Sequence, residues 1–232
     1  MPDEPVASQT RGVGGRLVLV AGATSDSGEA ATRALVGAGA RVVAVGRDEE
    51  RLAPLARLGA RTAVCDLTDE HAVAALAAQL AATGEHVDGI LHLVGGWRGG
   101  GGVAGQTEDD YRFLEQSLTA WRHTSRAFWG DLLASSAARI AVVSSTAVAR
   151  PLAGGANYAA VKAATEAWTR ALAQGFAKTA RDAGEPLRAA AVVFRVKSLA
   201  GREADLAAAF VDLWDAEADA VNDTVITPAD GA

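Results

Sequence analysis

Residues 16–35 read RLVLVAGATSDSGEAATRAL, and three kinds of segment follow one another there without a gap. Residues 16–21 (RLVLVA) are a short apolar run of the kind that becomes a buried strand. Gly22-Ala-Thr-Ser-Asp-Ser-Gly28 then makes a turn bounded by glycines, and a helical pattern continues through Leu35. A strand that runs through a glycine turn straight into a helix aims backbone N–H groups and the positive end of the helix dipole at one point. That arrangement suits a pyrophosphate. Gly22, Thr24, Ser25, Ser27 and Gly28 are therefore candidate ligands for a dinucleotide. Asp26 works against them, because its bulk and charge repel phosphate unless the carboxylate points away or pairs with a cation.

The alternation continues along the chain. Strand patterns fall at residues 41–46 (RVVAVG), 60–65, 87–94 (VDGILHLV), 139–143, 187–194 and 224–227. Helical patterns fall between them at 48–58, 68–82, 107–121 with a further stretch to about 135, 157–180 and 203–214. Strands alternating with helices predict one α/β domain: a doubly wound parallel sheet with helices on both faces. It should occupy residues 16–232 behind a loose tail, residues 1–15, which is rich in proline and glycine. A chain of 232 residues is long enough for one substantial core and short for two.

Composition narrows the class. The net charge of −6 gives no support to binding of nucleic acid or an anionic membrane. A single cysteine, Cys65, rules out an internal disulfide framework and suits a reducing compartment. No apolar run reaches membrane-spanning length, and residues 1–15 lack the apolar centre of a signal peptide. The expectation is a cytoplasmic protein.

Chemistry enters at residues 143–162, VSSTAVARPLAGGANYAAVK. Tyr158 and Lys162 are four apart, so a helix places them on one face, a turn from each other. An ammonium beside a phenol favours the ionised oxygen, and such a phenol can pass a proton to or from a substrate oxygen. Ser145, thirteen residues upstream at the end of a separate strand pattern, can fix that oxygen by hydrogen bonding.

With the glycine turn upstream, this Ser–Tyr–Lys order and spacing resembles the short-chain dehydrogenase/reductase family across roughly residues 16–231. The resemblance implies a Rossmann fold and hydride transfer between a nicotinamide cofactor and a carbonyl or alcohol. Ser145, Tyr158 and Lys162 would be catalytic, with Lys162 also on the nicotinamide ribose. Gly46 followed by Arg47 resembles members that prefer NADP(H) over NAD(H), although Arg47 also reads as an ordinary strand-end cation. Asp66 would receive the adenine amino group with Leu67 beside the ring, and Gly95 is the surviving glycine of the family's Asn-Asn-Ala-Gly tip. His92, in that tip, reads as structural. Ser117 aligns with the family's water-holding asparagine, and Phe194-Arg195 with its Pro-Gly. The usual lid after the sixth strand is almost missing. The loop 95–105, GGWRGGGGVAG, then reads either as a wall of the substrate pocket bearing Trp97 and Arg98, or as a floppy surface loop. Family members pair through helices, and Ala160, Ala164, Ala167 and Ala171 recur at helical spacing, which predicts a homodimer or homotetramer. Three functions stay open on these departures: an oxidoreductase, a catalytically impaired relative that serves as a nucleotide sensor or subunit partner, or an isomerase or dehydratase that uses the same phenol without net redox.

Overall fold

Period-two alternation in the first strand divides the core between two faces of a sheet. Leu17, Leu19 and Ala21 of β1 (Leu17–Ala21) point to one side, Val18 and Val20 to the other, and all five are buried. Burial on both faces is the signature of a parallel sheet covered by helices. The computed structural model, which describes residues 12–228, has this architecture.

In chain order β1 leads to α1 (Asp26–Gly37), β2 (Arg41–Gly46), α2 (Glu49–Arg57), β3 (Arg61–Val64), α3 (Glu70–Ala82) and β4 (Gly89–His92). Then follow α4 (Glu108–Ala127), α5 (Trp129–Ala134), β5 (Arg139–Ser145), α6 (Ala156–Ala183) and β6 (Ala190–Val196). The chain closes with α7 (Glu203–Val211), α8 (Ala218–Val221) and β7 (Thr224–Ile226). Every strand pairing is parallel, and the order across the sheet is β3-β2-β1-β4-β5-β6-β7.

Helices α3, α4, α5 and α6 cover one face, where Leu80, Trp121, Leu132 and Phe176 meet the odd-numbered residues of β1. Helices α1, α2 and α7 cover the other with Leu35, Leu52 and Phe210, and Trp214 completes that layer. Side-chain caps start four of the helices where hydroxyl and carboxylate residues allow it. Ser25 accepts from Gly28 N–H, Asp48 from Arg51, Asp69 from His71 and Ala72, and Thr107 from Asp110. Each such cap is worth about 1 kcal/mol.

Four expectations change. The loose tail is shorter than residues 1–15: Val13 is buried beside α7's layer, and Gly15 N–H donates to the Gly39 carbonyl. Residues 1–11 lie outside the described residues. The helix expected to end at Trp121 runs on to Ala127, and the further stretch to about 135 is the short helix α5. The sixth strand starts and ends later than 187–194, so Arg195 lies within β6 and pairs in register with Ser144. The fifth strand likewise runs on to Ser145. Among the described residues no helix is long and apolar enough to cross a membrane.

Candidate active site

The strand order reverses direction between β1 and β4, and the carboxyl ends of both strands open into a crevice there. Open parallel sheets bind ligands at this position. Two cavities meet in the crevice, of about 270 Å³ and about 1190 Å³. Both are lined by Ser25, Leu93, Val94 and Gly95, so they adjoin over the end of β4.

The smaller cavity lies over the turn that joins β1 to α1. Gly22 leaves β1 with φ +82, and a Cβ there would come within 3.0 Å of the Leu93–Val94 peptide. A Cβ on Gly28 would sit 2.4 Å from the Ala23 carbonyl oxygen, so only glycine lets α1 start this close to the end of β1. Ser25 locks the turn, its hydroxyl donating to the Gly22 carbonyl and accepting from Gly28 N–H. Thr24, Arg47, Asp66 and Leu67 line the wall. The Asp66 carboxylate accepts from the Thr68 hydroxyl at 2.7 Å and its N–H at 2.9 Å. These bonds, followed by the Arg47 charge, hold its pKa below the ordinary carboxylate value. Asp26 is exposed and lines neither cavity.

Arg51 is a lining residue that the sequence reading passed over. It sits in the first turn of α2, and its guanidinium donates to the Thr24 carbonyl at 2.8 Å. Its spacing of four from Arg47 was the available signal.

Ser145, Tyr158 and Lys162 all open onto the larger cavity. Ser145 ends β5, and its Oγ accepts from the Ala147 N–H at 3.1 Å. Tyr158 and Lys162 lie in the first two turns of α6, with Lys162 Nζ 5.8 Å from the centre of the Tyr158 ring. Lys162 donates to the Val143 carbonyl at 2.8 Å. Burial brings its ammonium down from 10.5 to about 8, and the neighbouring Glu166 carboxylate works against that fall.

Ser117 lines the smaller cavity, and its hydroxyl donates to the Leu114 carbonyl of its own helix at 2.8 Å. Its backbone carbonyl is taken by His92 Nε2 at 2.9 Å. Gly95 alone separates it from Lys162: a Cβ on that glycine would lie 3.6 Å from Lys162 Nζ and 3.9 Å from Ser117 Cβ. His92 is buried, packs against the Trp121 ring, and is held neutral by burial, which lowers its pKa to about 3.

The glycine loop after β4 is anchored rather than floppy. Gly100 N–H donates to the Gly154 carbonyl at 2.7 Å, just before α6. The Gln106 amide donates to the carbonyls of Gly100, Gly102 and Gly154, and its oxygen accepts from Asn157 N–H. Trp97, 62% exposed, stands at the edge of the larger cavity, which it lines. Arg98 turns away onto the Phe113 ring, 4.2 Å from its centre, and faces Asp110. On the opposite rim only residues 197–202 separate β6 from α7.

Comparison with known proteins adds an independent line. Residues 16–180 match the family model described as short chain dehydrogenase. A stretch of 52 residues is 56% identical to a protein provisionally named a daunorubicin C-13 ketoreductase from Streptomyces sp. (strain C5), covering 22% of this chain and 18% of that one. Another of 89 residues is 34% identical to a fatty acyl-CoA reductase from Acinetobacter baylyi (strain ATCC 33305 / BD413 / ADP1), covering 36% and 30%. The matches thus span less than a third of these curated relatives. A gluconate 5-dehydrogenase from Burkholderia cenocepacia J2315, solved with NADP and tartrate, superposes with a TM-score of 0.79 at 22% identity. That superposition covers 92% of this chain and 93% of the other, a likeness of fold.

Proposed function

Given that the chain belongs to the short-chain dehydrogenase/reductase family of NAD(P)-dependent oxidoreductases, we propose that it interconverts a bulky carbonyl compound and its alcohol, with NADP(H) as the preferred cofactor. The observation that carries this reading is the convergence of Ser145, Tyr158 and Lys162 on one cavity that adjoins the nucleoside cradle. The cradle suits a dinucleotide because a Cβ at Gly22 or Gly28 would fill it or displace its wall. Arg47 and Arg51 favour a 2′-phosphate on the adenosine ribose, Asp66 and Leu67 take the adenine, and the start of α1 takes the pyrophosphate.

When bound, the dinucleotide supplies or accepts a hydride at its nicotinamide. The protein's own residues handle the proton. Ser145 Oγ serves as acceptor to Ala147, which leaves its hydrogen for the substrate oxygen. Tyr158 transfers the proton to or from that oxygen. Lys162 has three N–H donors, of which the Val143 carbonyl uses one, leaving two for the ribose and the phenol. The Ser117 hydroxyl donates its hydrogen to Leu114, and its oxygen keeps lone pairs with which to hold a water for the relay.

The size of the larger cavity, about 1190 Å³, favours a substrate of more than a few carbons beside the nicotinamide. Arg150 and Lys197 line it, so a carboxylate or phosphate on the substrate would be tolerated. Ala160, Ala164, Ala167 and Ala171 are exposed on α6 and offer a close-packing face for a second copy of the chain.

The deciding experiment measures NADPH oxidation across bulky ketones, polycyclic and carrier-bound, with and without acidic groups. Tyr158→Phe should cut turnover by about 10²–10⁴ while NADPH affinity, read by nicotinamide fluorescence, changes little. Undiminished turnover in that variant would sink the mechanism. NADPH binding without turnover on any substrate would favour the impaired relative.

A further inference from the structure

Glu166 lies one turn beyond Lys162 on α6 and is 5% exposed, yet nothing in the mechanism above uses it. Its carboxylate is fully engaged. Oε1 accepts from the Ser144 hydroxyl at 2.6 Å and from Arg195 Nε at 3.1 Å, and Oε2 accepts from Arg195 Nη2 at 2.5 Å. The network therefore joins α6, β5 and β6 directly beneath the site. Ser144 is the neighbour of Ser145, and Ser144 and Arg195 are register partners across β5 and β6.

A buried carboxylate held by a bidentate guanidinium can be purely structural, and such a pair is weak evidence for stability. Its position argues for more. The groups that face Lys162 among the described residues are few. Tyr158 and Glu166 come from its own helix, and neutral His92 comes from β4. From β5 it meets only the Val143 carbonyl, and Arg195 of β6 stands behind Glu166. The one anion in reach of the ammonium is thus shared with a second cation.

Resting on the assignment of Lys162 to the site, we propose that Glu166 and Arg195 are a pair of positioning residues that set the charge of Lys162. The carboxylate holds the ammonium in its protonated form, and the guanidinium limits how strongly it can do so. Two cations competing for one buried anion leave Lys162 only partly compensated for its desolvation, consistent with its fall to about 8. The charge of Lys162 is then tuned from a layer that lines neither cavity.

The two halves of this pair should act in opposite directions, which a structural lock would not do. Lys162, Lys178 and Lys197 are the lysines of the chain, so protein labelled with ¹³C at lysine Cε gives three signals to follow by NMR against pH. Lys178→Arg and Lys197→Arg assign them. Glu166→Gln removes the anion and leaves the guanidinium, and should lower the Lys162 midpoint by about one unit. Arg195→Met frees the carboxylate for Lys162 and should raise it by a similar amount. Arg195→Lys keeps the charge and should leave the midpoint in place, and it serves as the folded control if Arg195→Met does not accumulate. Shifts of the same sign in Glu166→Gln and Arg195→Met, or no shift in either, would overturn the proposal. The alkaline limb of kcat/KM should follow the NMR midpoint in each variant. Midpoints that move while the limb stays would uphold the charge-setting pair and remove Lys162 from the catalytic reading.

Discussion

His92 makes a quantitative demand on acid stability. It is buried at the end of β4, donates Nε2–H to the Ser117 carbonyl, and its Nδ1 has no hydrogen-bond partner among the described residues. Burial lowers its pKa from 6.5 to about 3, so the folded protein keeps it neutral where the unfolded chain would protonate it. The folded value is the depressed one. Its stabilising contribution is therefore complete above pH 6.5 and is lost as the pH falls through the window down to about 3. Each pH unit inside the window costs about 1.4 kcal/mol, and the step from pH 7.5 to 5.5 crosses about one such unit. The expected loss of about 1.4 kcal/mol is a sizeable part of a typical domain's 5–15 kcal/mol. Urea unfolding of the native protein and of His92→Gln at both pH values isolates the effect, because the other histidines cancel in the difference. The variant should be less stable at pH 7.5 but should lose about 1.4 kcal/mol less on acidification. An equal loss in both proteins would refute the buried neutral imidazole.

Further tests follow from the cradle and the surface. NADPH should bind more tightly than NADH, and Arg47→Ala should reduce the preference by about tenfold, as expected for a lost charge-assisted bond. Arg51→Ala should loosen both cofactors as well, because it also releases the Thr24 carbonyl; equal affinities in the native protein would undo the assignment. Gly28→Ala forces a Cβ against the Ala23 backbone and should cost about 1–3 kcal/mol in urea unfolding, together with cofactor affinity. Light scattering at micromolar concentration should give at least a dimer mass, and a strictly monomeric mass would leave the exposed α6 alanines without a partner.

What the sequence made legible is what repeats or sits locally. The seven strands and the long helices follow from apolar runs and helical periodicity, so their order along the chain was readable even where their ends moved by a few residues. That Tyr158 and Lys162 share a helix face was readable because a spacing of four fixes it before any packing is known. Contacts between distant segments were not. Nothing near Ser117 announces that His92, twenty-five residues away, takes its carbonyl. The anchoring of the glycine loop depends on Gln106 reaching Gly154 across forty-eight residues. Glu166 stood in plain view four residues after Lys162, but its burial depends on Arg195 arriving on the neighbouring strand. Val13 reads as part of a tail until α7's layer is in place to cover it.

The anchored glycine loop has a consequence for how this protein can change. Its fastenings to the entry of α6 run from backbone to backbone, or from the single Gln106 amide to backbone carbonyls. Such bonds are indifferent to the identity of Trp97. Substitutions at that rim position alter the shape and polarity of the mouth without unseating the segment that carries it. Selection, or a designer, is thereby given a dial for substrate range that turns independently of the machinery beneath it. A long lid folded from its own side chains would offer no such freedom, since there each exchange also loosens the lid.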